Sequence, residues 1–323
     1  MIIGHFYAPP IFAGRVIYSF HMPLFFIVSG YFVKDFDIKK NLIRSSKALL
    51  IPYAIGMCMK MIAEIVFVGG DQGLSGIKQL FLDMLGGMCK ESATFPWLRG
   101  VNMIWFLPCL FVARNLFVII MKLTEKNKYQ WSIRIAILAI LSCVGMASPR
   151  LTYEYFPWCI EIAFVVLPFL YCGNVFRKRG IFSNKHRYLY AGGCIAVWVV
   201  LLLLGFYIEL AAHYWPGFYL ALFEGMIASF AVICLSQLVD AIPYLSRVIR
   251  WIGRSSLTIL LVHDIDDRYG ILDTIFNVLF SGRVSVILPL RIVLILLITG
   301  LVRAIVNGLK TLRSNDSITA VNG

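Results

Sequence analysis

The sequence predicts an all-α fold: a polytopic transmembrane helical bundle of about nine to ten spans, with its first helix cut short. Three observations predict it. Hydrophobic residues fill 60% of the 323 positions and charged residues only 15%, with a mean hydropathy of +0.81. A soluble domain of this length needs far more polar surface. Apolar runs long enough to cross a hydrocarbon core of about 30 Å recur along the chain, and Lys and Arg gather in alternate loops.

The runs fall at about residues 16–33, 48–69, 101–121, 131–148, 157–176, 188–210, 216–239 and 284–306, with a weaker one at 248–264 whose first turns carry Arg250 and Arg254. With residues 34–47 placed inside and the sides alternated, 20 of the 30 basic residues lie inside, 7 outside, and Lys60, Arg114 and Arg291 within spans. Dropping the weak run would send the basic tail outside, so it is kept. Lys40 and Arg179 are expected on the cytoplasmic side, and Asp83 and Asp266 on the outer one. The net charge of +13 is then a topology signal and a contact with anionic headgroups, and nucleic acid is not needed to explain it. The same placing puts residues 1–15 outside, where Met-Ile-Ile-Gly-His-Phe reads like the last turns of a helix whose earlier part is missing. A tenth span upstream would restore a cytoplasmic N-terminus. A single integral-membrane domain is expected over residues 1–323.

The eight cysteines show no CxxC spacing and nearly all lie inside spans, so they read as small buried hydrophobes, with neither a disulfide framework nor a metal site. In the one long non-spanning segment, residues 70–100, Ile77-Lys-Gln-Leu-Phe-Leu-Asp-Met-Leu85 has the pattern of a short helix lying in the outer interface.

Several polar residues come to one level when the spans are aligned by side. His5 ends the incomplete first helix near the outer face, and His21 lies about a turn inside the next. An imidazole titrates near neutrality and can take a proton from an alcohol and return it, which is the work of acyl transfer to hydroxyl groups. The alternative is that each ring only bonds a helix carbonyl. Pro23 and Ser29-Gly30 suit a bent helix packed closely on a neighbour. Lys60 and Glu64, spaced i and i+4, suit mutual neutralisation. Glu161, Glu224, Arg114 and Arg291 need partners inside the membrane. Glu161 sits a turn from the outer end of its span, where it would orient an imidazole, bind a sugar hydroxyl, or pair with Arg114 or Arg291. His186 and His213 read as ordinary loop residues.

Ile3-Gly-His5, Phe20-His-Met-Pro-Leu-Phe-Phe-Ile-Val-Ser-Gly-Tyr31, Lys47-Ala-Leu-Leu-Ile-Pro-Tyr53, Ile104-Trp-Phe-Leu-Pro-Cys-Leu110, Pro168-Phe-Leu-Tyr-Cys-Gly-Asn174 and Ile252-Gly-Arg-Ser-Ser-Leu-Thr-Ile-Leu-Leu-Val-His263 resemble successive landmarks of the membrane-bound acyltransferase-3 family, nearest its fucose 4-O-acetylase-like branch. The resemblance implies a bacterial inner-membrane O-acetyltransferase that draws acetyl groups from cytoplasmic acetyl-CoA. The acceptor it implies is a sugar hydroxyl of a surface glycan or lipid-linked precursor. His5 matches the family's first-helix histidine, while the basic residue usually found three turns upstream would precede Met1.

On this reading His5, His21 and Glu161 are the catalytic candidates. Trp105, Ser29 and His263 are candidates for substrate binding, Trp105 being equally suited to anchoring at the interface. Arg44, Lys47, Arg177 and Arg179 are candidates for the CoA phosphates, although topology alone also places basic residues there. No metal, Walker loop or GxGxxG fold is expected. The alternatives are an exporter of a lipid-linked glycan, for which no paired halves are visible, and an inactive family member acting as an assembly partner.

Overall fold

The computed structural model describes residues 12–152, 154–280 and 284–319. Within them the chain is helical, apart from one isolated bridge between Glu209 and Tyr214. It divides into two compact units, Ile3–Arg247 and Val248–Gly323.

Among the described residues, six helices are long and apolar enough to cross a membrane, or seven if the bent pair Pro157–Val165 and Leu167–Lys178 is one span. The expectation of a helical, multi-pass membrane protein therefore holds in its coarser form. Two of the nine expected runs fall short of that test. Run 188–210 yields a helix of only 17 residues, Arg187–Leu203, with Gly205 turning the chain at φ +84°. Run 248–264 lies within Pro243–Tyr269, whose arginines and aspartates dilute its apolar character. Ile62, Val66, Leu189, Leu203 and Leu204 are largely exposed, as side chains facing lipid would be.

In the first unit, α1 (Phe12–Tyr31) carries Pro23 without interruption. α2 (Ile38–Ser45) starts at Asp37, whose carboxylate caps it by accepting from the Lys40 amide at 2.9 Å. A π-helical turn, Ser46–Leu50, joins it to α3 (Ile51–Phe67), and together they make one 30-residue span. α4 (Gly70–Gly86) forms where a short helix was expected and is longer than the sequence pattern suggested. It ends where Gly87 takes φ +58° and its amide bonds the Asp83 carbonyl. Leu74, Phe81, Leu82 and Leu85 remain exposed along it. Asp83, expected to face outward, is buried and accepts from the Gln79 side chain and the Arg99 amide.

A 3₁₀ turn, Asn102–Trp105, leads into α5 (Phe106–Leu123). This is the central post: 67% of its apolar window is buried, against 28% in α1. Lys60, fully buried, donates to the Val101 carbonyl at 2.7 Å just before that turn.

α6 (Gln130–Thr152) is followed by α7 (Ile160–Val165) and α8 (Leu167–Lys178), which are bent by 54° at Val166. Pro168 lacks the amide that would continue the ladder there. α9 (Arg187–Leu203) and α10 (Tyr219–Val239) complete the unit.

The tightest approach is between α1 and α8. A Cβ on Gly173 would strike the Ile27 carbonyl, and one on Gly30 would strike the backbone of Leu170. Bare glycines let the two backbones meet, as in membrane helix pairs generally. Pro23 lies against Gly225 of α10, so α1 is clamped on two sides.

The second unit contains the rest of α11 (Pro243–Tyr269), α12 (Ile271–Phe280) and α13 (Val284–Thr319). Within it Asp266, also expected to face outward, is buried and receives Arg291 Nε at 2.7 Å and the Leu272 amide at 2.9 Å.

The clamp predicts opposite outcomes for two Gly→Ala changes. Gly173→Ala should lower stability in detergent by about 1–3 kcal/mol, the usual cost of overpacking. Gly192→Ala, on α9 with nothing within 4 Å of the new Cβ, should leave it unchanged or raise it by up to about 1 kcal/mol. Thermal unfolding of the two variants checks the contrast.

Candidate functional site

His5, and with it the expected remnant of the first helix, lies outside the described residues. His21 is half-buried on α1. Its Nδ1 is 3.0 Å from the Ile17 carbonyl of its own helix, and its ring meets Tyr18 edge-on at 5.1 Å. A carbonyl only accepts, so Nδ1 is the donor in this contact.

Glu161 is 2% exposed in the first turn of α7, where Gly145 of α6 packs on its carbonyl. Its Oε1 lies 3.2 Å from Nε2 of His213, in the loop between α9 and α10. His213 takes the left-handed φ +52°, Tyr155 stacks on its ring at 4.2 Å, and Trp215 flanks it at 5.3 Å. Tyr155 is fixed in turn by its hydroxyl bond to the Ala211 carbonyl at 3.1 Å, and Trp215 by its indole bond to the Met146 carbonyl at 3.2 Å. Nε2 is thus the ring nitrogen that meets the carboxylate. This is the orienter–base relation of a catalytic dyad.

Sequence reasoning set His213 aside as a loop residue. The signal was its position within the aromatic run His213-Tyr-Trp215 between two apolar segments.

Around the dyad, burial raises the Glu209 carboxyl above its ordinary range, with Lys90 acting the other way, and burial raises the Tyr155 phenol. Burial also pushes up the Cys89 thiol beside them, which suits an inert hydrophobe rather than a nucleophile. The eight cysteines are free thiols. His21 belongs to the same end of the unit. Tyr18 packs on the cluster containing Trp198 and Tyr207, and the Tyr207 ring lies 4.6 Å from that of Tyr214, next to His213. Glu224, fully buried on α10, sits beside the Ser19 hydroxyl and the Trp198 indole.

The other end of the unit is basic. Arg44 and Lys47 line an open groove of about 510 Å³ with Asp37, Lys39, Lys40 and Ile43. Arg177 does not enter that lining. Its guanidinium donates to the Val33 carbonyl at 3.0 Å, capping the end of α1 beside Asn174. Arg179 lies over Trp131 at 5.4 Å. Glu161 and Arg177 sit at the two ends of the α7–α8 pair, roughly 24 Å apart at 1.5 Å of rise per residue.

Three substrate-binding candidates are placed otherwise than expected. Trp105, at 5% exposure, is packed inside the protein. Ser29 accepts from Arg114 at 3.3 Å. His263 is fully buried on α11 in the second unit, where the helix packing covers it, instead of at an outer face.

Removing the imidazole in His213→Ala should cost about 1–3 kcal/mol by stranding the buried Glu161 carboxylate. Adding Glu161→Gln should recover part of that loss. Strictly additive losses in a double-mutant cycle of unfolding temperatures would show that the two are not coupled.

Comparison with curated proteins and with solved structures found no match. The acyltransferase-3 family model, described as an acyltransferase domain, matches residues 1–306.

Proposed function

The chain belongs to the acyltransferase-3 family and is therefore an acyltransferase, and from this premise we propose that it is an O-acetyltransferase. In this reading it moves an acetyl group from acetyl-CoA to a sugar hydroxyl of a surface glycan or lipid-linked precursor, in a bacterial inner membrane. The fucose 4-O-acetylase-like branch is the closest likeness in its motifs, and a count of nine to ten spans belongs to the same proposal.

The observation that carries the reading is the chemical contrast between the two ends of the first unit. One end offers a groove of Lys39, Lys40, Arg44 and Lys47 suited to a phosphorylated carrier. The other offers two imidazoles, one of them oriented by a buried carboxylate. A transferase with its donor inside and its acceptor outside needs both. The family assignment favours transfer over export of a lipid-linked glycan.

In the proposed mechanism His5 accepts the proton of the acceptor hydroxyl as its oxygen attacks the thioester carbonyl. The C–S bond breaks, the acetyl–oxygen bond forms, and CoA leaves as the thiol after taking back a proton. His21 positions the donor carbonyl or the first imidazole. The Glu161–His213 dyad lies where the acceptor sugar would sit and supplies a hydrogen-bonding wall for its hydroxyls. Arg44 and Lys47 are the first candidates for the CoA phosphates, ahead of Arg177 and Arg179, which lie outside the groove lining.

Membranes containing the protein should release free CoA from acetyl-CoA only when a sugar acceptor is supplied. His5→Ala should lower that release by about 10²- to 10⁴-fold, the range of general acid–base catalysis. Retention of more than about a tenth of the rate would move the base elsewhere, to His21 or His213.

A further inference from the structure

Arg114 sits within α5, the most deeply buried span, and its contacts are unusual for a cation in that place. Nε donates to Asn41 Oδ1 at 3.0 Å and one terminal nitrogen donates to Ser29 Oγ at 3.3 Å. Both partners are neutral. They belong to a closed amide–hydroxyl network: Asn41 Nδ2 donates to Asn115 Oδ1 at 2.9 Å, and Asn115 Nδ2 donates to Ser45 Oγ at 3.0 Å. Ser45 Oγ in turn donates to the Asn41 carbonyl at 2.8 Å. The network holds the guanidinium in one orientation and supplies no negative charge.

Among the described residues no carboxylate lies within ion-pair distance of Arg114, and the charge that acts on it is another cation, Arg44. The nearby acids are committed elsewhere. Asp37 caps α2 through the Lys40 amide, and Asp35 pairs with the Lys40 ammonium at 3.1 Å. A guanidinium has five N–H donors, and two are engaged here. A cationic side chain inside a membrane span ordinarily finds a counter-charge. Arg114 has no such counter-charge among the described residues, while Asp35 acts on Arg44. Arg44, the cation that acts on Arg114, is in the wall of the basic groove, so the Arg114 fork lies beside that groove.

We propose that Arg114 is the inner anchor of an anion site for a phosphoryl group, shared with Arg44 and framed by Ser29 and Asn41. The planar fork of an arginine matches two phosphate oxygens at once, and the Asn41 and Ser29 contacts lock the side chain before the ligand arrives. The inference rests on reading that end of the unit as the donor end. It adds that the phosphorylated ligand reaches past the exposed Arg44 and Lys47 to a residue inside the bundle. The same phosphoryl chemistry has two sources, the diphosphate of a soluble carrier and the headgroup of an anionic lipid.

The test uses the full chain in neutral, lipid-free detergent and reads its unfolding temperature, so no turnover is required. Inorganic pyrophosphate should stabilise the wild type in a saturable way. In Arg114→Gln the apparent affinity should fall about tenfold or more, the scale of a lost hydrogen bond to a charged group. Arg114→Lys keeps the charge but not the fork and should also lose affinity. It carries the test if Arg114→Gln does not fold. If pyrophosphate has no effect but phosphatidylglycerol nanodiscs stabilise the wild type and not the variants, the site is an anion site for a lipid headgroup. Variants that respond to both probes as the wild type does would overturn the proposal, as would a wild type that responds to neither. Because the readout is binding, failure here leaves the transferase reading standing, and absence of acetyl transfer leaves the anion site standing.

Discussion

The close contact of α1 with α8 fixes the arrangement of the first unit. Gly30 and Gly173 bring two backbones together where any side chain would collide, and Asn174 and Arg177 of α8 then hold the Val33 carbonyl at the end of α1. In a bilayer, lipid tails compete with apolar side chains on nearly equal terms, so such contacts come from close packing and hydrogen bonds rather than from hydrophobic burial. The seam sets where α1 places His21 toward one end and Ser29 toward the other. It also sets where the α7–α8 pair presents Glu161.

From that seam the two ends take on different chemistry. At the basic end, α2 turns its Asn41–Ser45 face inward to Arg114 and its Arg44 outward to the groove. At the other end, a left-handed turn at His213 and the break at Trp158 and Cys159 bring an imidazole against a buried carboxylate. Regular helices could not make that meeting. It needs backbone in conformations that cost about 1–3 kcal/mol each and persist only where the surrounding packing fixes them. Tyr155 and Trp215 provide that packing on the two sides of the ring.

The helical, membrane-spanning character was legible because hydropathy sums over many residues and tolerates local error. The seam was half legible: Ser29-Gly30 signalled close approach, but its partner Gly173 lies far along the chain. The dyad was not legible, since Glu161 and His213 are 52 positions apart and meet through a non-helical loop. The partners of Arg114 were hidden for the same reason, at separations of 73 and 85. Asp83, Asp266, Trp105 and His263 are buried, which their residue types alone do not announce: backbone amides satisfy both aspartates, and Arg291 also meets Asp266. A residue type marks chemical capacity, and only packing decides whether that capacity is presented.

The central claim is that donor and acceptor meet the protein from opposite sides of the membrane. Proteoliposomes of defined orientation test it most directly, with acetyl-CoA confined to the side of the basic groove and the sugar acceptor confined to the other. The account predicts acetylated sugar on the acceptor side and free CoA on the donor side, with no product when the two compartments are exchanged. Product formed only when both substrates share one side would contradict it.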